Sequence, residues 1–415
     1  MIADDKMSDC AFSRSEASIV AFGLDDWGND PQTRYHILTR LAARGWRVTY
    51  ANGPHFVWDI KRPRWTHASW RNRRGSSDGV FLNWPARWLI RWPRFRVWDE
   101  LVVDQYVRVL VKQSRWQEAR YRIAYVFHPR FLPYVEKLGD CHVVYHADDS
   151  FSKMPTWTRD AAIAERNLVS KASLVIASSP GVQRNFPGAG VSSSRILENG
   201  ADVKLFMAGA EGAQPTDLRA IPRPWIGYFG SINPKVDLTL VERLARLEPH
   251  WHWVFVGQVI EKQIVADLPS REAWLSIARC ANVHFLGARP YSDIPRYQAH
   301  MDVNVLCYRT EVGGWWTDLS PLKLHEYLAV GKPVVAAALE VLNDLQHVIA
   351  TANGESEWLE ALRDAIEGRG RGTVAQRREV ARANDWEEIV DRLDSWLTSM
   401  ATAVRSPAQQ DYELT

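Results

Sequence analysis

Between Asp318 and Val335 the chain reads Asp-Leu-Ser-Pro-Leu-Lys-Leu-His-Glu-Tyr-Leu-Ala-Val-Gly-Lys-Pro-Val-Val. Few local structures accommodate this run. Ser320 can cap a helix, and Pro321 can take its first position, where a lost N–H does no harm. Leu324, Tyr327 and Leu328 fall at i, i+3 and i+4, so they form one apolar stripe. Lys323 and Glu326 are three apart and share another face near the helix start. Gly331 ends the helix, Pro333 forbids its continuation, and Val334 to Ala338 reads as a buried strand. A helix start attracts anions, and Lys323 adds a positive charge there. An anionic ligand, most simply a nucleotide diphosphate, is therefore expected at this point. An ordinary loop–helix–strand unit with solvated Lys323 and Glu326 would show the same pattern.

The same alternation opens the chain. Ser18 to Leu24 is a short apolar run that reads as a parallel strand. A loop with Asp25, Asp26, Gly28, Asn29 and Asp30 follows, and Pro31 starts a helix to about Arg44, with Leu38, Leu41 and Ala42 inward. Gly45 caps it and Arg47 to Ala51 is the next strand. Strand, helix and strand in this order make a right-handed crossover in a parallel sheet. The acidic loop lies at the carboxyl end of the sheet, where such folds bind ligands. It has no Gly-x-Gly-x-x-Gly, so Asp25 and Asp26 are assigned to an acceptor; plain surface acids fit as well.

Lys61 to Arg96 departs from the rest. Lys61, Arg62, Arg64, Arg71, Arg73, Arg74, Arg87, Arg91, Arg94 and Arg96 face a single acid, Asp78, with Trp65, Trp70, Trp84, Trp88 and Trp92 interleaved. Trp84, Trp88, Leu89 and Trp92 follow helical spacing, with Arg87 and Arg91 beside them. Such a surface suits the headgroup layer of an anionic membrane. It would also suit single-stranded nucleic acid, or a structural helix whose Trp residues are core. Membrane or lipid-linked acceptor is the reading adopted, without nucleic acid. A helix over Val97 to Gln117 follows, with Leu101, Val102, Tyr106, Val109 and Leu110 inward.

Further on, strands at Arg122–Phe127 and Cys141–Tyr145 end in His128-Pro129-Arg130 and in an acidic loop with Asp148 and Asp149. Paired carboxylates there raise one pKa, as a general base requires; both acids could also cap a helix. Asn199-Gly200 offers the positive φ of a tight turn. Met207 to Pro224 lacks periodicity and reads as an interdomain linker. Trp225 to Ser231 is a strand with a glycine turn, where Gly230 and Ser231 allow close approach to a phosphate. Tyr308, Arg309, Gly313 and Gly314 follow a strand at Asp302–Cys307. Trp386 to Met400 is a last helix, and Ser406 to Thr415 reads as a tail.

The totals exclude several classes. Net charge is +2 in 415 residues, so nothing argues for a polyelectrolyte partner. Four scattered cysteines contain no Cys-x-x-Cys and suit a reducing cytosol. No basic, apolar leader and no long apolar run suggest secretion or a membrane span.

Pro321, Lys323, Glu326, Tyr327, Ala329, Gly331, Pro333, Val334 and Val335 together resemble the donor-binding signature of nucleotide-sugar glycosyltransferases of GT-B architecture, in their GT4-like, exopolysaccharide-type branch. Gly227-Tyr228-Phe229-Gly230, Asn282-Val283-His284-Phe285-Leu286-Gly287 and Asn199-Gly200-Ala201-Asp202 match further segments. Many retaining members carry two glutamates at a seven-residue interval; here Asp318 stands in for the first. Val144-Tyr145-His146-Ala147-Asp148-Asp149 is similar to a segment of xanthan-type glucuronosyltransferases whose Asp is the proposed base.

This resemblance implies an α/β fold with two Rossmann-like domains facing a central cleft. Residues 1–210 would be the acceptor domain, 211–224 the linker, 225–385 the donor domain, and 386–405 a helix crossing back. It implies transfer of a sugar from a UDP- or GDP-linked donor to a lipid-linked or glycan hydroxyl, at the inner face of the plasma membrane. Donor contacts would come from Gly230, Ser231, Tyr308, Ser320, Pro321, Leu322, Lys323 and Glu326, with Asp149, beside Asp148, as base. No Asp-x-Asp motif lies where a metal-bound donor would need it, so no cofactor and no metal are expected. A nucleotide-sugar epimerase of the same fold, or a non-enzymatic glycan- or nucleic-acid-binding protein, is the alternative.

Overall fold

The computed structural model describes residues 12–28, 32–188, 194–311, 314–318 and 320–402. Asn29, Asp30, Pro31, Gly313 and the tail from Ser406 lie outside the described residues.

Two parallel sheets organise the chain. The first uses β1 (Ala17–Phe22), β2 (Arg47–Ala51), β4 (Arg73–Ser77), β5 (Val80–Trp84), β7 (Tyr121–Val126), β8 (His142–Ala147), β9 (Leu174–Ala177) and β10 (Arg195–Ile196). Their order is β10-β9-β8-β7-β1-β2-β5-β4, parallel except for the β4–β5 hairpin at one edge. Between these come β3 (His55–Phe56) and β6 (Ile90–Arg91), which pair only with each other. The second sheet uses β11 (Trp225–Phe229), β12 (His252–Val256), β13 (Val283–Gly287), β14 (Val303–Leu306), β15 (Val334–Ala337) and β16 (Ala350–Ala352). Its order is β13-β12-β11-β14-β15-β16, all parallel. Both central strands β1 and β11 are buried along their whole length, because helices cover both faces of such a sheet.

The first sheet has a core on each face. On one side Ile19, Val48, Ile123 and Val144 meet Leu38 and Leu41 of the helix Thr33–Ala43. On the other, Val20, Phe22 and Ala124 meet Val102, Tyr106 and Leu110 of the helix Arg96–Gln113. Leu101, read as inward, is 60% exposed instead, because Val102, Val103 and Tyr106 already fill the buried face.

The chain enters the second core before residue 211, where the linker was read. Ala201, Val203 and Phe206 are buried with second-sheet residues, and so are Leu218 and Ile221 from the stretch that looked aperiodic. Isolated apolar side chains between Ala, Gly and Pro carry no period, although each finds a core. The last helix, Trp386–Thr402, returns to the first domain and buries Ile389, Leu393 and Leu397 beside Ile19 and Val48. Each such side chain contributes about 1.5–3 kcal/mol. Among the described residues no helix is long and apolar enough to cross a membrane.

Candidate active site

The carboxyl ends of the two sheets line a common cleft of about 710 Å³. On the second domain it opens between β11 and β14, where the strand order reverses and such folds take ligands. All eight donor residues read from the sequence line it: Gly230, Ser231, Tyr308, Ser320, Pro321, Leu322, Lys323 and Glu326. Gly230 has φ +111°, and a Cβ there would stand 2.6 Å from Lys323 Nζ. The turn thus needs glycine both for its backbone and for the lysine above it. The signature helix runs Leu322–Val330 and ends at Gly331 with φ 84°. Its start differs from the sequence reading: Pro321 is the capping position and no side chain caps the helix, so Ser320 does not perform that role. Pro321 is extended, with φ −68° and ψ 113°, so the helix begins one residue later than the sequence reading placed it.

Lys323 Nζ donates to the Tyr228 hydroxyl at 3.1 Å and lies 4.3 Å from that ring's centre and 5.6 Å from Tyr308's. A second ammonium, missed in the sequence, shares the site. Lys235 Nζ lies 5.5 Å from the Tyr308 ring and 5.9 Å from that of Trp315. Its loop is zipped to the end of β14: Asp237 N–H donates to Cys307 O at 2.8 Å and Arg309 N–H to Lys235 O at 2.9 Å. Burial pulls the Lys235 pKa down, while Asp149 acts in the opposite direction. A lysine five residues past the glycine turn was the available signal, but only the β14 contact brings it over the pocket.

The first domain contributes Asp148 and Asp149 just after β8, and both line the cleft. Burial, then the neighbouring Asp148, pushes the Asp149 carboxyl up to about 7, with Lys235 and Arg34 working against the rise. Asp148 is likewise raised by burial, and Arg34 Nη1 approaches its Oδ2 to 3.4 Å. Arg34 also pairs with Asp25, so one guanidinium ties the two acidic loops together.

Three elements converge beside Glu326, which accepts from the Tyr291 hydroxyl at 2.9 Å. His36 stacks on Trp386 with centroids 4.9 Å apart and an 11° interplanar angle, and lies 5.9 Å from Tyr291. Asn199 bridges the domains: its Oδ1 accepts from Thr33 Oγ1 at 2.6 Å and its Nδ2 donates to Ser320 O at 2.7 Å. The positive φ expected at Asn199-Gly200 is not adopted. Gly200 is instead required by close packing, since a Cβ there would come within 2.5 Å of Ile389 Cδ1.

Asp318 and Glu326 keep the seven-residue interval, yet the fold separates them. Glu326 lines the cleft and Asp318 does not. The Asp318 carboxylate accepts from Ser150 Oγ at 2.7 Å, Lys153 Nζ at 2.6 Å and Asn185 Nδ2 at 2.8 Å, all from the first domain. Its carbonyl accepts from Ser179 Oγ. Burial acts against ionisation, but the hydrogen bonds from Lys153, Ser150 and Asn185 prevail and hold the carboxyl below its usual range.

Asp25 and Asp26 line a side pocket of about 270 Å³ that shares Gly28 and Gln32 with the cleft. Asp26 accepts from Asn52 Nδ2 at 2.7 Å and lies 3.4 Å from Arg64. No residue of the Arg/Trp segment lines either pocket, although Arg64 reaches Asp26 at the side pocket, and the helix expected through Trp84–Trp92 is not formed. Trp84 ends β5 and Arg91 lies in β6. Pro85 and Pro93 explain the departure, since the residue before a proline is biased toward extended backbone. Arg87 lies 3.6 Å from the centre of the Trp65 ring and 5.1 Å from that of Trp70. Arg91 is buried against Asp99 and donates to the Tyr134 hydroxyl at 3.3 Å. Trp84 packs over Gly75. Arg91 and Trp84 are thus committed within the fold, whereas Trp88 and Trp92 remain exposed with Phe95, Val97, Trp98 and Leu101.

Residues 223–367 match the family model described as Glycosyl transferases group 1. TuaH of Bacillus subtilis strain 168, named as a teichuronic acid biosynthesis glycosyltransferase, is 26% identical over 231 residues. That stretch is 54% of this chain and 56% of TuaH, about half of each. Among solved structures, Anabaena HepE in complex with UDP and glucose superposes with TM-score 0.64 at 20% identity, over 92% of this chain and 99% of that one. Sucrose-phosphate synthase of Thermosynechococcus elongatus does so with TM-score 0.69 at 15% identity, over 93% and 99%. The chain therefore has the GT-B fold, and its residues 223–367 are similar to the glycosyl transferases group 1 family.

Proposed function

We propose that this chain is a glycosyltransferase that moves a sugar from a nucleotide-diphospho sugar to a hydroxyl acceptor in the synthesis of a glycan. One observation carries the reading. Lys235, Lys323 and the Gly230 turn face Asp149 across a single cleft. The sugar's bond to the diphosphate breaks as its bond to the acceptor oxygen forms. Negative charge then grows on the departing phosphate, where two ammonium groups and a helix start are already in position. The acceptor gives up its proton to Asp149. Glu326, held by Tyr291, binds donor hydroxyls. HepE was solved with UDP and glucose, which supports a UDP-linked donor; GDP is the alternative base. The two lysines would answer the diphosphate charge, so the reaction is proposed to need no metal.

The acceptor is proposed to be lipid-linked, with the chain resting on the anionic inner face of the plasma membrane. The exposed aromatic stretch near Trp88 and Trp98 supports this contact.

The test is a thermal-shift titration with UDP, GDP and their sugars in excess EDTA. Stabilisation follows ligand concentration over dissociation constant. The wild type should gain several degrees with the correct nucleotide, and Lys323→Ala should lose most of that gain. Equal shifts in both proteins would refute the donor site, and a shift abolished only by EDTA would refute metal independence.

A further inference from the structure

The first sheet holds a second cavity, of about 380 Å³, which is within the range of small-ligand sites. It lies against β2 and the β4–β5 hairpin, near the end of the helix Arg96–Gln113. Arg47, Arg74 and Arg115 line it together with Thr49, Phe81 and Gln113, and none of these lines the cleft. Arg47 is the first residue of β2, so the cavity lies toward the amino ends of the strands. The cleft lies at their carboxyl ends.

The positive charge here is not answered from within the described residues. No carboxylate there pairs with Arg47 or Arg74, and Arg115 has Glu118 only at 3.9 Å, with both side chains exposed. Three guanidinium groups around one hollow repel one another unless an anion joins them. A second observation points the same way. Thr49 is 2% exposed, lines the cavity, and its Oγ1 has no hydrogen-bond partner. Asn83 Oδ1 is also buried without a partner, while its Nδ2 donates to Gln113 Oε1. A buried polar atom left in this state is destabilising, and a ligand in the cavity that hydrogen-bonds to Thr49 Oγ1 would recover that cost. Phe81 is the register partner of Thr49 on β5, so its ring stands on the same face, and it is 51% exposed. A half-exposed ring offers a flat apolar surface to the C–H face of a sugar.

We propose that this cavity binds an acidic sugar unit of a saccharide, one that carries a carboxylate or phosphate. The oxyanion sits among Arg47, Arg74 and Arg115, where guanidinium groups can grip it through paired hydrogen bonds. Thr49 donates to the same unit, and the ring lies on Phe81. The site stands on its own geometry and does not depend on the transferase reading.

The test uses the full chain in calorimetric titrations with a glucuronic-acid oligosaccharide, a neutral gluco-oligosaccharide of equal length, inorganic phosphate and a single-stranded oligonucleotide. Wild type, Arg74→Ala and Phe81→Ala are compared. Arg74 lies on an edge strand and is exposed, as is Phe81, so both variants should fold; a circular dichroism melt verifies this. The acidic saccharide should bind saturably and more weakly at high salt. Arg74→Ala should weaken it at least tenfold, and Phe81→Ala should weaken it while leaving inorganic phosphate unaffected. The UDP-induced thermal shift should be the same in all three proteins, which separates this site from the cleft. Absence of saturable binding, equal binding of the neutral saccharide, or indifference to Arg74→Ala would overturn the proposal. Phosphate binding as tightly as the acidic saccharide would remove the sugar from it, and the oligonucleotide binding most tightly would replace it with a nucleic-acid site.

Discussion

Asp149 has a proton affinity unusual for an aspartate because burial and Asp148 both disfavour its charge, raising it to about 7. A base with a raised pKa is protonated below that value and cannot accept a proton. Turnover should therefore rise with pH through about 7 and level off above it. Arg34 favours the ionised form, so Arg34→Gln should move that midpoint to higher pH; a midpoint that stays put would exclude Asp149 as the titrating base. Asp149→Asn should lower kcat by roughly 10²–10⁴-fold and leave UDP binding intact. Asp318 behaves in the opposite sense. Its hydrogen-bonded carboxylate binds a proton less readily in the folded chain than in the unfolded one. The stability it adds is complete above roughly pH 4, the ordinary carboxylate range, and vanishes as pH falls through the lower folded value. Asp318→Asn should cost about 1–3 kcal/mol at neutral pH. Melting curves of the two proteins should converge in acid, and a gap constant with pH would contradict this account.

At the level of elements, the Gly230 turn and the signature helix act as one unit. Gly230 occupies a backbone region that costs an L-residue about 1–2 kcal/mol, and its missing Cβ leaves room for Lys323 Nζ. Gly230→Ala should lower the melting temperature modestly but remove most of the UDP-induced shift, because the lysine must move. An undiminished shift would mean that Lys323 does not reach the phosphates from this position. The helix itself was legible from Leu324, Tyr327, Leu328 and Gly331, since its period and its stop are local properties. The Arg/Trp stretch was not legible in this way. There Trp84, Trp88 and Trp92 imitate helical spacing, but the prolines after two of them impose extended backbone.

Across the whole molecule, the first domain presents an exposed apolar stretch in which Trp98 is tied to Ile90 O by a hydrogen bond and Phe95 stands edge-on to Trp92. Phe95 is 53% exposed, Trp98 48% and Leu101 60%, with Arg94 and Arg96 exposed on either side of Phe95. Half-buried rings beside cations suit an anionic lipid surface, and the attraction weakens with salt. The protein should co-sediment with phosphatidylglycerol vesicles in preference to phosphatidylcholine ones. Changing Phe95 and Leu101 together to Ser should reduce that binding at least tenfold. Equal partition between the two lipids would argue that this surface serves another purpose.

The alternation of apolar runs and amphipathic stretches pointed to buried strands of a parallel sheet, because a strand buried on both faces must be apolar throughout; the division into two such domains came from the resemblance to GT-B enzymes. Gly230, Lys323 and Glu326 do line one pocket, as the resemblance implied: Gly230 follows β11 directly, and Lys323 and Glu326 lie within the first five residues of the helix Leu322–Val330. What remained was decided by contacts between distant positions. Asp318 meets Ser150 across 168 residues and Asn185 across 133, and so leaves the cleft although its spacing from Glu326 matches the signature. Lys235 enters the cleft because its loop pairs with the end of β14. Arg91 is buried because Asp99 and Tyr134 are within its reach. Spacing along the chain specifies which face of an element a side chain occupies, but only the docking of one element on another decides which partner it meets there.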